Sequence, residues 1–246
     1  MKNLSIFLLV LLGVFTSCTI DNTDGVSSIT NYPIITLNGP DVLFLNQGDT
    51  YTDAGAVSTE GGAVIETTTS FSKGVYFGGD FGTDSPDLYF VTYSAINKDG
   101  FPGTATKTIW VKPSTGNLTS DISGLYSSDV QRGPSFSVTA QYSALNYVFI
   151  KKIGTNKYAI SDAVGGYYDI GRGYGSNYAT SDATITVNDL ATNSFSFTPG
   201  PIAAFGITLN MSNMVVDATT KTITFTSTYG TASSGVFKIQ LKQVQL

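Results

Sequence analysis

The chain ends in a run with period two. In Gly235–Val244, Val236, Lys238, Gln240, Lys242 and Val244 fall on one side and Phe237, Ile239, Leu241 and Gln243 on the other. Successive side chains of a strand point to opposite faces, so this pattern specifies a strand with one face buried. Shorter runs of the same kind recur upstream at Gly124–Val130, Ser135–Tyr142, Tyr147–Ile153, Lys157–Ser161, Ala183–Asn188, Ser194–Thr198, Gly206–Met211, Met214–Asp217 and Thr222–Ser227. Turn residues separate them, as in Gly154-Thr-Asn156, Asp189–Asn193 and Asp217–Thr220. Short strands at regular spacing, without helical periodicity, predict an antiparallel barrel or sandwich over residues 120–246. The first half has its own strands at Pro33–Leu37, Val42–Leu45, Asp87–Ala95 and Thr104–Val111. Asn38-Gly39-Pro40, Asn46–Asp49 and Asn97–Gly100 punctuate them as turns. Pro113–Thr119, polar and carrying Pro and Gly, predicts a linker between an all-β domain over 31–112 and the larger all-β domain.

Composition narrows the chemistry. Charged residues are 13% of the chain and the net charge is −5, with no basic cluster. Nucleic-acid binding needs a basic stripe and is not expected. The chain has no histidine, which removes Ser-His-Asp and Cys-His catalysis and His-containing zinc sites. Gly171-Arg-Gly173 is Gly-rich but has no following helix to receive a phosphate, and no cofactor is expected. Several aspartates of the second domain sit at turn positions; Asp162 and Asp169 flank the tyrosine cluster and could pair, but they make no convincing carboxylate pair, and no enzymatic activity is expected. Asp80, Asp84 and Asp87 offer oxygen ligands, but not at EF-hand spacing, and no metal is expected.

The N-terminus begins Met1-Lys2-Asn3, followed by an apolar run from Leu4 to Val14 that is too short to span a bilayer. Phe15-Thr-Ser-Cys18 follows. This resembles a bacterial lipoprotein signal peptide over residues 1–17, with Phe15 where leucine is usual and Cys18 as the residue that receives the lipid. Cys18 is the only cysteine, so no disulfide is available. Residues 18–30 are polar and aperiodic, which predicts a flexible tether. Asp21 and Asp24 within it weakly resemble the surface-export signal of Bacteroidota lipoproteins.

Between Tyr32 and Lys112 the matching residues are Pro33, Ile35, Leu37 and Gly39, then Gly48, Tyr51, Asp53, Gly55 and Ala56. They continue with Tyr89, Val91, Tyr93, Ala95 and Gly100, then Ala105, Thr108 and Val111. The order resembles bacterial immunoglobulin-like surface modules. Tyr89 has the spacing of a tyrosine corner, two residues before the position where an antibody domain carries its second cysteine. In Ile109-Trp110-Val111 the tryptophan faces away from its neighbours. It either packs on the adjoining domain or offers a platform for a sugar ring.

Val164–Tyr178 concentrates four tyrosines, five glycines, Arg172 and Asp169 in fifteen residues. Two readings of it stay open. The tyrosines fill the core and rim of a barrel corner, or Tyr167, Tyr168, Asp169, Arg172, Tyr174 and Tyr178 form a recognition surface of rings and directional hydrogen bonds. Adjacent Tyr167 and Tyr168 share a platform only if the chain bends there. Ile122–Tyr126 and the hairpins after it resemble lipocalin-like barrels. More closely, Gly165–Gly175 followed by Val216–Phe225 resembles the C-terminal domain of a family of Bacteroidota outer-membrane lipoproteins with an immunoglobulin-like N-domain. The resemblance implies a lipid-anchored, surface-exposed outer-membrane protein of glycan-uptake loci. The expected function is non-catalytic glycan binding, with a saccharide or an outer-membrane transporter component as partner. A docking lipoprotein and a lipocalin-type carrier of a small apolar ligand are the alternatives.

Overall fold

The computed structural model describes residues 29–245. Cys18, the leader and most of the expected tether lie outside them. Two β-bodies follow one another.

In the first, β1 (Ile34–Leu37) pairs with β3 (Ala56–Glu60), and β3 pairs with β4 (Ala63–Ile65). The facing sheet has the order β2 (Val42–Asn46), β7 (Pro102–Lys112), β6 (Asp87–Ile96), β5 (Thr68–Phe71), with β2 parallel to β7. Alternation along β6 and β7 sends Tyr89, Val91, Tyr93, Ile109 and Val111 inward, where Ile35, Leu37, Leu43 and Leu45 cover them. The Tyr89 hydroxyl donates to the Ser85 carbonyl at 2.8 Å, four residues upstream, which is the tyrosine-corner bond. Lys107 is buried on β7 and meets the Asp53 carboxylate at 3.4 Å. The Tyr51 and Tyr93 hydroxyls also donate to that carboxylate, so the buried charges are paired and hydrogen-bonded.

The second body is one sheet of nine antiparallel strands. They are β8 (Gly124–Arg132), β9 (Leu145–Gly154), β10 (Lys157–Ile160), β11 (Thr184–Asp189), β12 (Ser194–Thr198), β13 (Gly200–Ile202), β14 (Ile207–Asp217), β15 (Thr222–Thr228) and β16 (Val236–Gln243). Their order is β12-β11-β10-β9-β8-β16-β15-β14-β13. The sheet curls into a nearly closed barrel, and Val216 of β14 donates to Asn193 Oδ1, just before β12, at 2.8 Å. Phe237, Ile239 and Leu241 of β16 point inward with Tyr126, Ile150, Tyr158, Ile185 and Phe225. The interior is a packed core of large side chains.

Three features depart from the sequence reading. Ser135–Tyr142 is not a strand. It belongs to a long β8–β9 connection that leaves the sheet after Gly133 and turns at Phe136, whose φ is +46°. The two runs Gly206–Met211 and Met214–Asp217 are a single strand, β14, interrupted by a bulge at Asn213. Strands β3, β4, β5 and β13 are additional to the sequence reading, being three to five residues long, too short to show an alternation.

The two bodies meet through a third apolar cluster. Leu88, Leu125 and Phe149 are buried together, ringed by Val75, Tyr76, Phe77, Phe90, Trp110 and Tyr147. Trp110 lies nearly parallel to Phe149, with centroids 5.5 Å apart, and meets Tyr147 edge-on at 5.1 Å. Phe44 lies parallel to it at 6.3 Å. The face that Trp110 presents is therefore occupied by the second body, and its ring is no open sugar platform.

Candidate binding site at the end of the barrel

The Gly- and Tyr-rich stretch follows β10 and closes one end of the barrel. Its geometry starts from Asp162, which is buried. Asp162 Oδ1 accepts the backbone N–H of Val164 at 2.9 Å and of Thr180 at 3.1 Å, and Oδ2 accepts that of Gly166 at 2.9 Å. One carboxylate thus pins both ends of the loop. Burial pushes its acid up to about 7, against the opposing pull of these N–H groups. Gly165 follows with φ +66°, and a Cβ there would lie 2.6 Å from Ser128 Oγ and 2.8 Å from Ile239 Cγ2. The loop touches the barrel wall so closely that only glycine fits.

Tyr167–Gly171 then forms a single π-helical turn, with Gly171 N–H on Gly166 O at 2.8 Å and Arg172 N–H on Tyr167 O at 3.1 Å. Such turns are rare, and frequent at functional sites where they occur as bulges in α-helices. The bend turns both adjacent tyrosines inward. Tyr167 and Tyr168 are buried, edge-to-face at 5.0 Å, and both rings meet Phe237. Their rings belong to the barrel's end wall, which corrects their placement on an open platform.

Asp169 is also buried and faces the first body. The Tyr76 hydroxyl donates to its Oδ2 at 2.8 Å across the interface. Burial raises the Asp169 acid, with the Tyr76 bond pulling the other way, and burial followed by the Asp169 charge raises the Tyr76 phenol. Asp169 thus bridges the two bodies and does not point at the outer rim. Neither Asp162 nor Asp169 is a free carboxylate, since each is engaged by these donors. Asp87 is likewise occupied, accepting the N–H groups of Tyr76, Phe77 and Leu88. Among the described residues, no three His, Cys, Asp or Glu side chains gather as a metal site.

The solvent side of the stretch is different. Arg172 is exposed, Tyr174 is 48% exposed and Tyr178 is half-buried. Phe205, 43% exposed, comes in from the β13–β14 connection and meets Tyr178 and Tyr168, each at 5.0 Å. Tyr174 meets Tyr178 at 5.1 Å and lies parallel to Tyr168 at 6.4 Å. These rings make a continuous aromatic rim. Beside it, Ser176, Asn177, Ser181, Asp182 and Ala204, with Val75 of the first body, line an open pocket of about 430 Å³. A second concavity of about 350 Å³ lies on the outer barrel face, between Asp129, Gln131, Thr224, Thr226, Asn213 and Gln240. It carries no comparable rim of rings.

Several residues of the rim region are absent from the sequence reading. Tyr142 stacks on Tyr167 at 4.2 Å, and Gln141 Nε2 donates to Gly171 O at 2.9 Å, so the β8–β9 connection braces the π-turn. Arg132 donates from Nε to Ser234 O at 2.7 Å and from Nη2 to the Tyr229 hydroxyl at 3.0 Å. Arg172 Nη2 donates to the Tyr167 hydroxyl at 3.4 Å. Burial raises the Tyr167 phenol, but hydrogen bonds from Arg172, Tyr142 and Arg132 outweigh it and hold the group below its ordinary value. For Phe205 the local signal is a large apolar residue at a turn, Ala203-Ala-Phe-Gly206, with no alternating partner.

Residues 115–243, which contain the barrel and its Gly- and Tyr-rich end, match the model of a C-terminal domain family. The chain belongs to that family. Residues 35–111 match the model of the bacterial surface protein Ig-like domain, in keeping with the sandwich and its tyrosine corner. The crystal structure of the lipoprotein BT2262 from Bacteroides thetaiotaomicron is similar, with a TM-score of 0.61 and 26% identity. The likeness covers 86% of this chain and 100% of that one. No curated protein matches the chain. The protein is thus a homologue of a Bacteroides lipoprotein, built from an Ig-like domain and a family-specific barrel.

Proposed function

We propose that this protein is a non-catalytic glycan-binding accessory lipoprotein of a polysaccharide-uptake system, anchored to the outer membrane through Cys18 and exposed at the cell surface. One observation carries the reading: Tyr174, Tyr178 and Phe205 form an aromatic rim open to solvent beside exposed Arg172 and an open, partly polar pocket. Aromatic faces bind the apolar faces of sugar rings, while guanidinium, amide and hydroxyl groups give direction. The large side chains that fill the barrel interior favour a surface site over a lipocalin-type cavity.

The test is an affinity-gel or array screen against saccharides, repeated on Tyr174→Ala and Phe205→Ala. Each substitution is expected to weaken saccharide binding about two- to twelvefold, from the roughly 0.5–1.5 kcal/mol an aromatic contact adds beyond burial. Tm should barely move, because both rings are largely exposed. Rim variants that abolish co-purification with an outer-membrane protein, with no saccharide bound by the wild type, would assign the rim to docking instead. For the anchor, Cys18→Ser is expected to move the protein from the membrane to the soluble fraction and to remove acyl labelling. Unchanged fractionation would overturn it.

A further inference from the structure

The chain has two arginines, Arg132 and Arg172, forty positions apart. Both lie against the ring of Tyr167, with guanidinium carbons 5.4 Å and 5.6 Å from its centroid. One comes from the end of β8 and the other from the π-turn, so the closure of the barrel end brings them together. Neither has a carboxylate partner, since among the described residues the one ion pair is Lys107–Asp53. The acid nearest in sequence to Arg172, Asp169, is turned to Tyr76 across the interface. The groups that face the two guanidiniums include the hydroxyls of Tyr142, Tyr167, Tyr174 and Tyr229, the Ser234 carbonyl, and the rings of Tyr167, Tyr168 and Phe237, with no carboxylate among them.

A guanidinium offers five N–H donors in a planar fork suited to an oxyanion. Arg132 donates to Ser234 O and the Tyr229 hydroxyl and reaches the Tyr167 hydroxyl, while Arg172 donates to the Tyr167 hydroxyl at 3.4 Å and reaches the Tyr142 and Tyr174 hydroxyls, so each fork engages fewer acceptors than its five donors. Two cations on one tyrosine ring, with donors to spare and no carboxylate partner among the described residues, offer a local site for an anion. We propose that the rim takes an acidic saccharide, with the carboxylate or sulfate of the sugar held by Arg172 and Arg132 and the sugar ring stacked on Tyr174 and Phe205. The proposal rests on the glycan-binding reading and adds the substrate class.

With only two arginines, the Nε–H resonances give an unusually simple spectrum, and Arg172→Gln assigns them. Titration of the full protein with sodium galacturonate and sodium sulfate is expected to shift the Arg172 signal, with the stronger of the two naming the source of the oxyanion. Affinity gels should retard the protein in polygalacturonate or dextran sulfate and not in methyl-esterified pectin or dextran. Arg172→Gln, an exposed position, should weaken retardation roughly tenfold or more, the scale of hydrogen bonds to charged groups. Arg132→Lys keeps the charge but loses the fork, and should weaken binding while the circular dichroism spectrum stays that of the wild type. Retention on neutral and acidic gels alike, with no arginine shift, would overturn the acidic class and leave glycan binding standing. Arginine shifts without retention on any gel would keep the anion site and remove the glycan reading. Neither shift nor retention would overturn both.

Discussion

Asp162→Ala is expected to cost about 3–5 kcal/mol of stability, because it leaves the N–H groups of Val164, Gly166 and Thr180 without an acceptor in a buried loop. The loss should concentrate at the barrel end: hydrogen exchange of residues 163–180 should accelerate before that of β8 and β16. Asp162→Asn is the sharper probe. One amide oxygen can still accept, but the NH2 group must face at least one backbone donor, so a smaller loss is expected. The same variant isolates a pH effect. The folded-state acid, at about 7, lies above the unfolded carboxyl near 3.9, so the folded protein binds the proton more tightly. Stability through this group is therefore fully present below about pH 4, falls as pH rises toward about 7, and is constant above that. The slope approaches about 1.4 kcal/mol per pH unit at most. Denaturation at pH 5 and pH 8 checks it: the wild type should lose stability between the two, and the difference should shrink in Asp162→Asn. An equal loss in both would place the titration elsewhere, on Asp87 or Asp169, which burial raises as well.

The second large effect belongs to the interface. Phe149 is fully buried between the two bodies, parallel to Trp110 and in contact with Tyr76 and Phe77. Phe149→Ala is expected to cost about 3–5 kcal/mol, the range for deleting a large buried aromatic side chain. Because β9 carries this residue on the barrel and the partners sit on the Ig-like body, the loss should also uncouple the two. Denaturation followed by tryptophan fluorescence, which reports Trp110, and by far-ultraviolet circular dichroism should give coincident curves in the wild type and separated ones in the variant. Coincident curves in the variant would show that the remaining contacts, including Tyr76 to Asp169, suffice to keep the bodies cooperative.

The all-β class was legible because β16 alternates apolar and polar residues along its length, and β6 and β7 are runs rich in β-branched and aromatic residues joined by a turn. Strands β3 to β5 gave no such signal. They are held by hydrogen bonds and by neighbours in other parts of the chain, with Thr, Ser and Ala supplying little of the core. The Gly- and Tyr-rich stretch stood out by composition, yet the direction of each tyrosine was not readable. A strand would have split Tyr167 from Tyr168, whereas the π-turn buries both and leaves the outer rim to Tyr174 and Tyr178. Arg132 and Phe205 reach this place from distant sequence, and only closure of the sheet brings them there. Trp110 was assigned the right face by alternation, but what covers that face is set by the other domain.

The parallel pairing of β2 with β7 has a mechanical meaning. The chain enters the Ig-like body at the tip of the β6–β7 hairpin, where Asn97 Nδ2 donates to Asn31 O at 2.8 Å. It leaves at Lys112, at the opposite end of β7 and beside the barrel. The two ends are separated by the length of β6, roughly 30 Å for ten residues at about 3.4 Å each. Force applied at these two ends would draw β2 and β7 past each other lengthwise. Their hydrogen bonds would carry that load together, in shear, and would not unzip one after another. The Ig-like body is thereby a strut that resists stretching along the line between its two chain ends.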